Sequence, residues 1–291
     1  MMKQVEEQID QFRKGQSAPR NVTAFVAAGH PDDVAVKGFT EALRTEDAQV
    51  RLQIVKLLVD LGRKTDPLYK QGIELIRNQS VIRALLTEAI SQAGMARDAA
   101  LDAVQTRVPP EMIANFSSNL PDNLRQWPDS TALLIIAKGK IGNALPVVRE
   151  LEGMPRWSKE TSLLIAKAAL GDQATENTFV EPFLATTDPV EKERLARLVG
   201  FIGTRSALTA LASQMRSGLV FLQEGNFKRS VRLKIMEALA YNFPDKIFLH
   251  DNAIINDSGY ERVEKFCEET FGIQWRTARP PYLAVQGFPT P

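Results

Sequence analysis

The sequence predicts an all-α fold assembled from repeated helix pairs. Three observations predict it: a nine-residue pattern that recurs, apolar spacing of three and four inside each copy, and stop and start residues at the ends of the copies. Residues 134–142, LIIAKGKIG, and 163–171, LLIAKAALG, align at an offset of 29 with five identities in nine positions. Residues 195–203, LARLVGFIG, follow 32 further on; residues 54–62, IVKLLVDLG, and 86–94, LTEAISQAG, are also 32 apart. In each copy the apolar residues fall on one stripe of a helix. The glycine ending each copy is read as the stop, because glycine takes the left-handed C′ conformation at no steric cost.

Taken in order, the elements begin with an amphipathic N-terminal helix over MMKQVEEQIDQFRKG, which lacks the apolar core of a signal peptide. Residues 22–34, VTAFVAAGHPDDV, resemble the opening of zinc-dependent deacetylases, whose signature is Ala-His-Pro-Asp-Asp-Glu after a strand. A catalytic zinc needs about three protein ligands. The chain has two histidines, His30 and His250, and Val34 stands where the signature has glutamate. The better reading is a helix start at Pro31, Asp32 and Asp33, running to about Arg44, with the aspartates accepting first-turn N–H groups. No metal or cofactor site is expected.

Asp66-Pro67 and Asp188-Pro189 place an N-cap before a proline at the first helical position. Asp129 or Ser130 can cap the copy ending at Gly142, and Ser158 the copy ending at Gly171. Partner helices are expected over 67–77, 143–150, 176–185 and 205–215, and a sixth copy over 230–241, SVRLKIMEALAY. Residues 95–128 hold extra material around Pro109-Pro110 and stretch one interval to 48, either as a degenerate repeat or as a bend. Residues 218–226, GLVFLQEGN, continue the preceding helix or fold as a loop over the core. The last 20 residues, with four prolines and two glycines, exclude a helix and read as an extended cap on the last pair.

With Val50-Arg51 before LLVDLG, Ile82-Arg83 before Gly94 and Asp188-Pro189-Val190 before LARLVGFIG, residues 32–242 resemble HEAT repeats. That resemblance implies a right-handed α-solenoid of about six or seven antiparallel helix pairs. Residues 1–31 would form an N-terminal capping segment and 243–291 a C-terminal helix and tail. In HEAT repeats the arginine after the valine often pairs with acidic residues of neighbouring units; Arg51, Arg83 and Arg232 match it, whereas Thr131 and Glu160 stand there in two other copies.

A net charge of +1 leaves no global field toward nucleic acid or an anionic membrane. No apolar run approaches the ~20 residues of a membrane span. One cysteine, Cys267, excludes a disulfide framework, and a cytoplasmic location fits best. Glutamates around Cys267 oppose a nucleophilic thiolate, and His250 is read as a helix-end or partly buried residue rather than a ligand. No phosphate-cradling glycine loop or nucleophile elbow is present.

The function expected is a non-enzymatic scaffold for a protein or peptide. Arg51, Arg83, Arg194 and Arg232 are the candidates for polar contacts on the inner face. Trp127 and Trp157, at nearly equivalent repeat positions, are either turn aromatics packed on the adjoining pair or anchors along the groove. The basic run FKRSVRLK, residues 227–234, is either a solvated helix face or a contact for an acidic partner. The alternative is a HEAT-like enzyme, similar to phycobilin lyases or to alkylpurine DNA glycosylases, using the concave groove.

Overall fold

The computed structural model describes residues 2–16, 33–67, 69, 74–91, 94–116, 119–224, 227–247 and 257–278. The chain divides into two compact units, Met1–Leu163 and Leu164–Pro291. The first carries α1 (Met2–Arg13), α2 (Asp33–Thr45), α3 (Ala48–Lys64), α4 (Gln79–Ala89), α5 (Met95–Arg107), α6 (Pro110–Phe116), α7 (Leu120–Gln126), α8 (Ser130–Gly139) and α9 (Leu145–Glu152). α10 (Thr161–Ala169) spans the division. The second unit carries α11 (Gln173–Ala185), α12 (Pro189–Ile202), α13 (Arg205–Ser213), β1 (Val220–Glu224), β2 (Phe227–Ser230), α14 (Val231–Asn242) and α15 (Asp257–Phe271).

The regular secondary structure among the described residues is therefore helical apart from one antiparallel hairpin. That hairpin, β1 paired with β2, replaces the helix or loop expected over 218–226. The apolar Val220–Leu222 run is β-branched and aromatic, which favours a strand. It also makes the first half of FKRSVRLK a strand, so the helix start falls after Ser230, whose side chain accepts from the Leu233 N–H at 3.3 Å.

Within the first unit α3 packs on α5 and α5 on α8, while α2 packs on α4 and α4 on α6. Within the second, α12 packs on α14, and α13 on α11 and α15. Helices two apart in the chain, or three in the case of α5 and α8, thus lie side by side. Their N-termini are tied together: buried Arg97 of α5 reaches Asp129, the N-cap of α8, at 3.3 Å, and Ser206 of α13 donates to the buried Glu176 of α11.

This packing corrects the repeat phase. The copy at 86–94 falls on α4, in the row opposite α3, α5 and α8. The helix that belongs in the row is α5, which is followed by Val108-Pro109 rather than by glycine. Once α5 is counted the long interval moves to α3–α5, whose starts are 47 residues apart, against 35 from α5 to α8, and residues 95–128 supply three helices.

The stops need correcting too. Gly203 closes α12 with φ 59° and donates to the Val199 carbonyl at 3.2 Å; Gly171, at φ 105°, follows α10. Gly62 lies inside α3, where an added Cβ would sit 2.7 Å from Ile76 and 2.9 Å from Val81. It is small so that the next segment can approach. Gly94 is the N-cap of α5, and α8 closes at Lys140, the described non-glycine residue with positive φ. Ile141 N–H then reaches the Ile136 carbonyl at 3.1 Å, so a Schellman-type closure forms without glycine.

Residues 74–78 are not helical, contrary to the helix expected over 67–77. Ile76 N–H donates to the Arg107 carbonyl at 3.0 Å, satisfying the end of α5, and its buried side chain fills the space above Gly62. Ser158 does not cap α10; its hydroxyl donates to the Pro155 carbonyl at 3.3 Å. The caps expected at Asp129 and Asp188 are present, as are the helices expected near 143–150, 176–185, 205–215 and 230–241. The HPDD helix starts at Asp33 and runs to Thr45; His30 and His250 lie outside the described residues.

Several helix ends are closed by a side chain from a neighbour. Asn123 Nδ2 donates to the Ile90 carbonyl at 2.7 Å, Lys138 Nζ to Gln105 at 2.5 Å, and Arg205 to Thr270 at 3.1 Å. Of the expected tail, residues 279–291 lie outside the described residues, and the segment 272–278 is not helical. Arg216 fastens it: its guanidinium stacks 4.7 Å over Trp275, donates to the Thr277 carbonyl at 2.6 Å and pairs with buried Glu264 at 3.1 Å.

Candidate functional site

In the second unit, α12 and α14 cross where Gly200 meets Ala238. A Cβ on Gly200 would lie 2.6 Å from the Ala238 Cβ and 3.1 Å from its Cα, so the two backbones nearly touch. Asn242 locks the crossing, with Nδ2 donating to the carbonyls of Gly200 at 2.8 Å and Ala238 at 2.9 Å. α12 is positioned by Asp188 at one end and Gly203 at the other, and α14 by Ser230.

Beside this crossing the helices diverge, leaving a solvent-facing cleft of about 150 Å³. Gly200 and Ala238 form its floor. Phe201 and Tyr241, edge to face at 5.1 Å, form one end, and Arg197, Lys234 and Glu237 complete its lining. The walls are almost wholly apolar, so the charged residues contribute mainly their aliphatic stems. Arg197 and Phe201 are spaced i, i+4 on α12; Lys234, Glu237 and Tyr241 are spaced i, i+3, i+7 on α14. Each set therefore occupies one helix face.

The rim is charged but largely paired. Lys234 Nζ contacts the Glu237 carboxylate at 2.7 Å. One turn before Arg197, Arg194 grips Glu191 through Nε at 2.8 Å and Nη2 at 2.7 Å, and this pairing holds the Glu191 carboxyl below its ordinary range. Lys192 points inward: its ammonium lies 5.5 Å over the Phe183 ring and donates to the Thr186 carbonyl at 3.2 Å, and burial lowers its pKa.

The residues singled out from the sequence are dispersed. Arg51 is engaged inside the first unit, bonded to the buried Glu88 carboxylate and to Ser91 Oγ at 2.7 Å. Arg83 is exposed on α4. Arg232 is buried, its guanidinium 3.6 Å over the Tyr260 ring, so it holds α15 rather than facing solvent. Trp157 is 8% exposed and packs in the turn before α10, with Arg156 stacked over it at 5.8 Å, whereas Trp127 at the end of α7 is 48% exposed. Arg194 lies one turn before the lining residue Arg197 on α12 and is not itself part of the cleft lining. Lys234 stood in the basic run, but Arg197, Phe201, Glu237 and Tyr241 were not singled out; the available signal was their i, i+4 and i, i+7 spacing outside the apolar stripe.

Cys267 is fully buried, and burial together with Glu264 and Glu268 pushes its thiol up to about 12, which opposes thiolate chemistry. Among the described residues no group of three or more His, Cys, Asp or Glu side chains could hold a metal ion, and no helix is long and apolar enough to cross a membrane. No protein-family model, curated protein or solved structure matches the chain.

Proposed function

We propose that this protein is a non-enzymatic scaffold of the HEAT-repeat kind, a right-handed α-solenoid of the cytoplasm that binds a protein or peptide through the cleft between α12 and α14. Side-by-side packing of helices two apart, in both units, supports the solenoid arrangement. In a HEAT array the second helix of each pair lines the concave face, and α12 and α14 are the second helices of the pairs α11–α12 and α13–α14. The single observation carrying the binding assignment is the cleft itself: an apolar notch bordered by a pair of aromatic rings, opening to solvent beneath a charged rim. An apolar centre with a polar rim is the anatomy of a binding hot spot.

Panning a displayed random-peptide library on the purified chain tests the assignment, with the double variant Phe201→Ala, Tyr241→Ala as the comparison. Peptides enriched on the wild-type chain are expected to lose binding to the double variant. A pool equally enriched on both, or no enrichment at all, contradicts the assignment.

A further inference from the structure

The geometry points to a defined class of ligand for this cleft: we infer that it takes one apolar side chain of a peptide segment that carries a carboxylate beside it, with Arg197 as the carboxylate's partner. The inference rests on the protein-binding assignment and narrows it to one chemistry.

Size is the first argument. An apolar cavity of about 150 Å³ accommodates a benzene-sized guest, whereas sites for drug-sized ligands and cofactors run from about 300 to 1,000 Å³. The α12–α14 cleft, at about 150 Å³, therefore matches a single leucine or phenylalanine side chain. It opens to solvent, so such a guest can be supplied by a chain lying across the two helices. Phe201 and Tyr241 would meet an aromatic guest edge-on or offset, the geometries that aromatic pairs prefer.

Charge is the second. Of the cations near the cleft, Lys234 is held by Glu237 and Arg194 by Glu191, each pair within one helix. Among the described residues Arg197 makes no salt bridge, and it is exposed on the lining. The rim thus carries one positive charge in excess, located on the residue a turn away from the aromatic end. A basic segment would meet repulsion at Arg197 and would have to break an existing pair to reach Glu237. An acidic segment needs no such exchange. An arginine fork also receives a carboxylate through two parallel N–H donors. A nucleic-acid strand is the poorer fit, because backbone binding draws on several phosphate contacts and the rim offers one uncommitted cation.

The same panned pools test the inference, now with Arg197→Glu as a third bait. This exposed substitution keeps Gly200, Phe201, Ala238 and Tyr241 of the cleft, and unchanged thermal melting checks that the variant folds. The expected result is enrichment of Asp or Glu next to Leu, Phe or another apolar residue on the wild-type chain. Those peptides should weaken about fivefold on Arg197→Glu, the worth of one solvent-exposed ion pair, and the variant should enrich basic residues instead. A pool that depends on Phe201 and Tyr241 but is neutral or basic overturns this inference and leaves the protein-binding assignment standing. A pool that does not depend on those two rings overturns both. Binding of a single-stranded oligonucleotide with steep salt dependence, lost in Arg197→Glu, also overturns it.

Discussion

Burial lowers the Lys138 ammonium from 10.5 to about 7, opposed in part by Glu111. Between those two values the unfolded chain holds a proton that the folded chain does not, so the contribution of Lys138 to stability rises as pH climbs from 7 toward 10.5 and is lost as pH falls through 7. The variant Lys138→Met should therefore be most stabilised relative to wild type at pH 6. The gap should close by about 2 kcal/mol at pH 9, read from denaturant unfolding at the two pH values. Asp129 has two duties: it caps α8, accepting from Thr131 and Ala132 N–H groups at 2.8 and 3.0 Å, and it faces buried Arg97. Asp129→Ala should cost about 3 kcal/mol, and Asp129→Ser, which keeps the cap alone, about 1 kcal/mol less. Cys267 should resist alkylation at pH 8 in the native protein and react once denaturant unfolds it, as its buried, upshifted thiol requires.

At the scale of elements, the Gly200–Ala238 crossing sets how closely α12 and α14 approach. Gly200→Ala should destabilise by about 1–3 kcal/mol through overpacking, despite alanine's better helix propensity. Adding Ala238→Gly removes the nearest clashing atom and should restore much of the loss, a favourable coupling in a double-mutant cycle. Additive losses would mean that the helices do not meet there. Helix existence was largely legible in the sequence, because apolar periodicity and the caps at Asp129 and Asp188 are local signals. Row membership was not. α4 and α5 are both amphipathic, and only packing shows that α5 lies beside α3 and α8. The stop expected at Gly62 misled for a related reason: that glycine serves close approach between elements, and a glycine chosen for space looks identical in sequence to one chosen for positive φ. The hairpin was missed because strand pairing between Val220–Glu224 and Phe227–Ser230 needs both segments read together.

At the scale of the molecule, the two units share one construction principle, helices two apart packed side by side with side chains of one closing the ends of another. The cleft follows from it, since an opening between α12 and α14 exists only where those two helices are neighbours. Arg51 and Arg232 were expected to make polar contacts on the inner face, and packing turned them inward; Phe201 and Tyr241 carried no expectation, and packing placed them together at an opening. Hydrogen exchange measured by mass spectrometry, with and without a peptide enriched on the wild-type chain, tests the central claim most directly. Amides at the C-terminal half of α12 and across α14 should exchange more slowly in the complex, and Phe201→Ala, Tyr241→Ala should abolish that protection. Protection confined to other elements, such as the 272–277 segment, with α12 and α14 unchanged, would contradict the account.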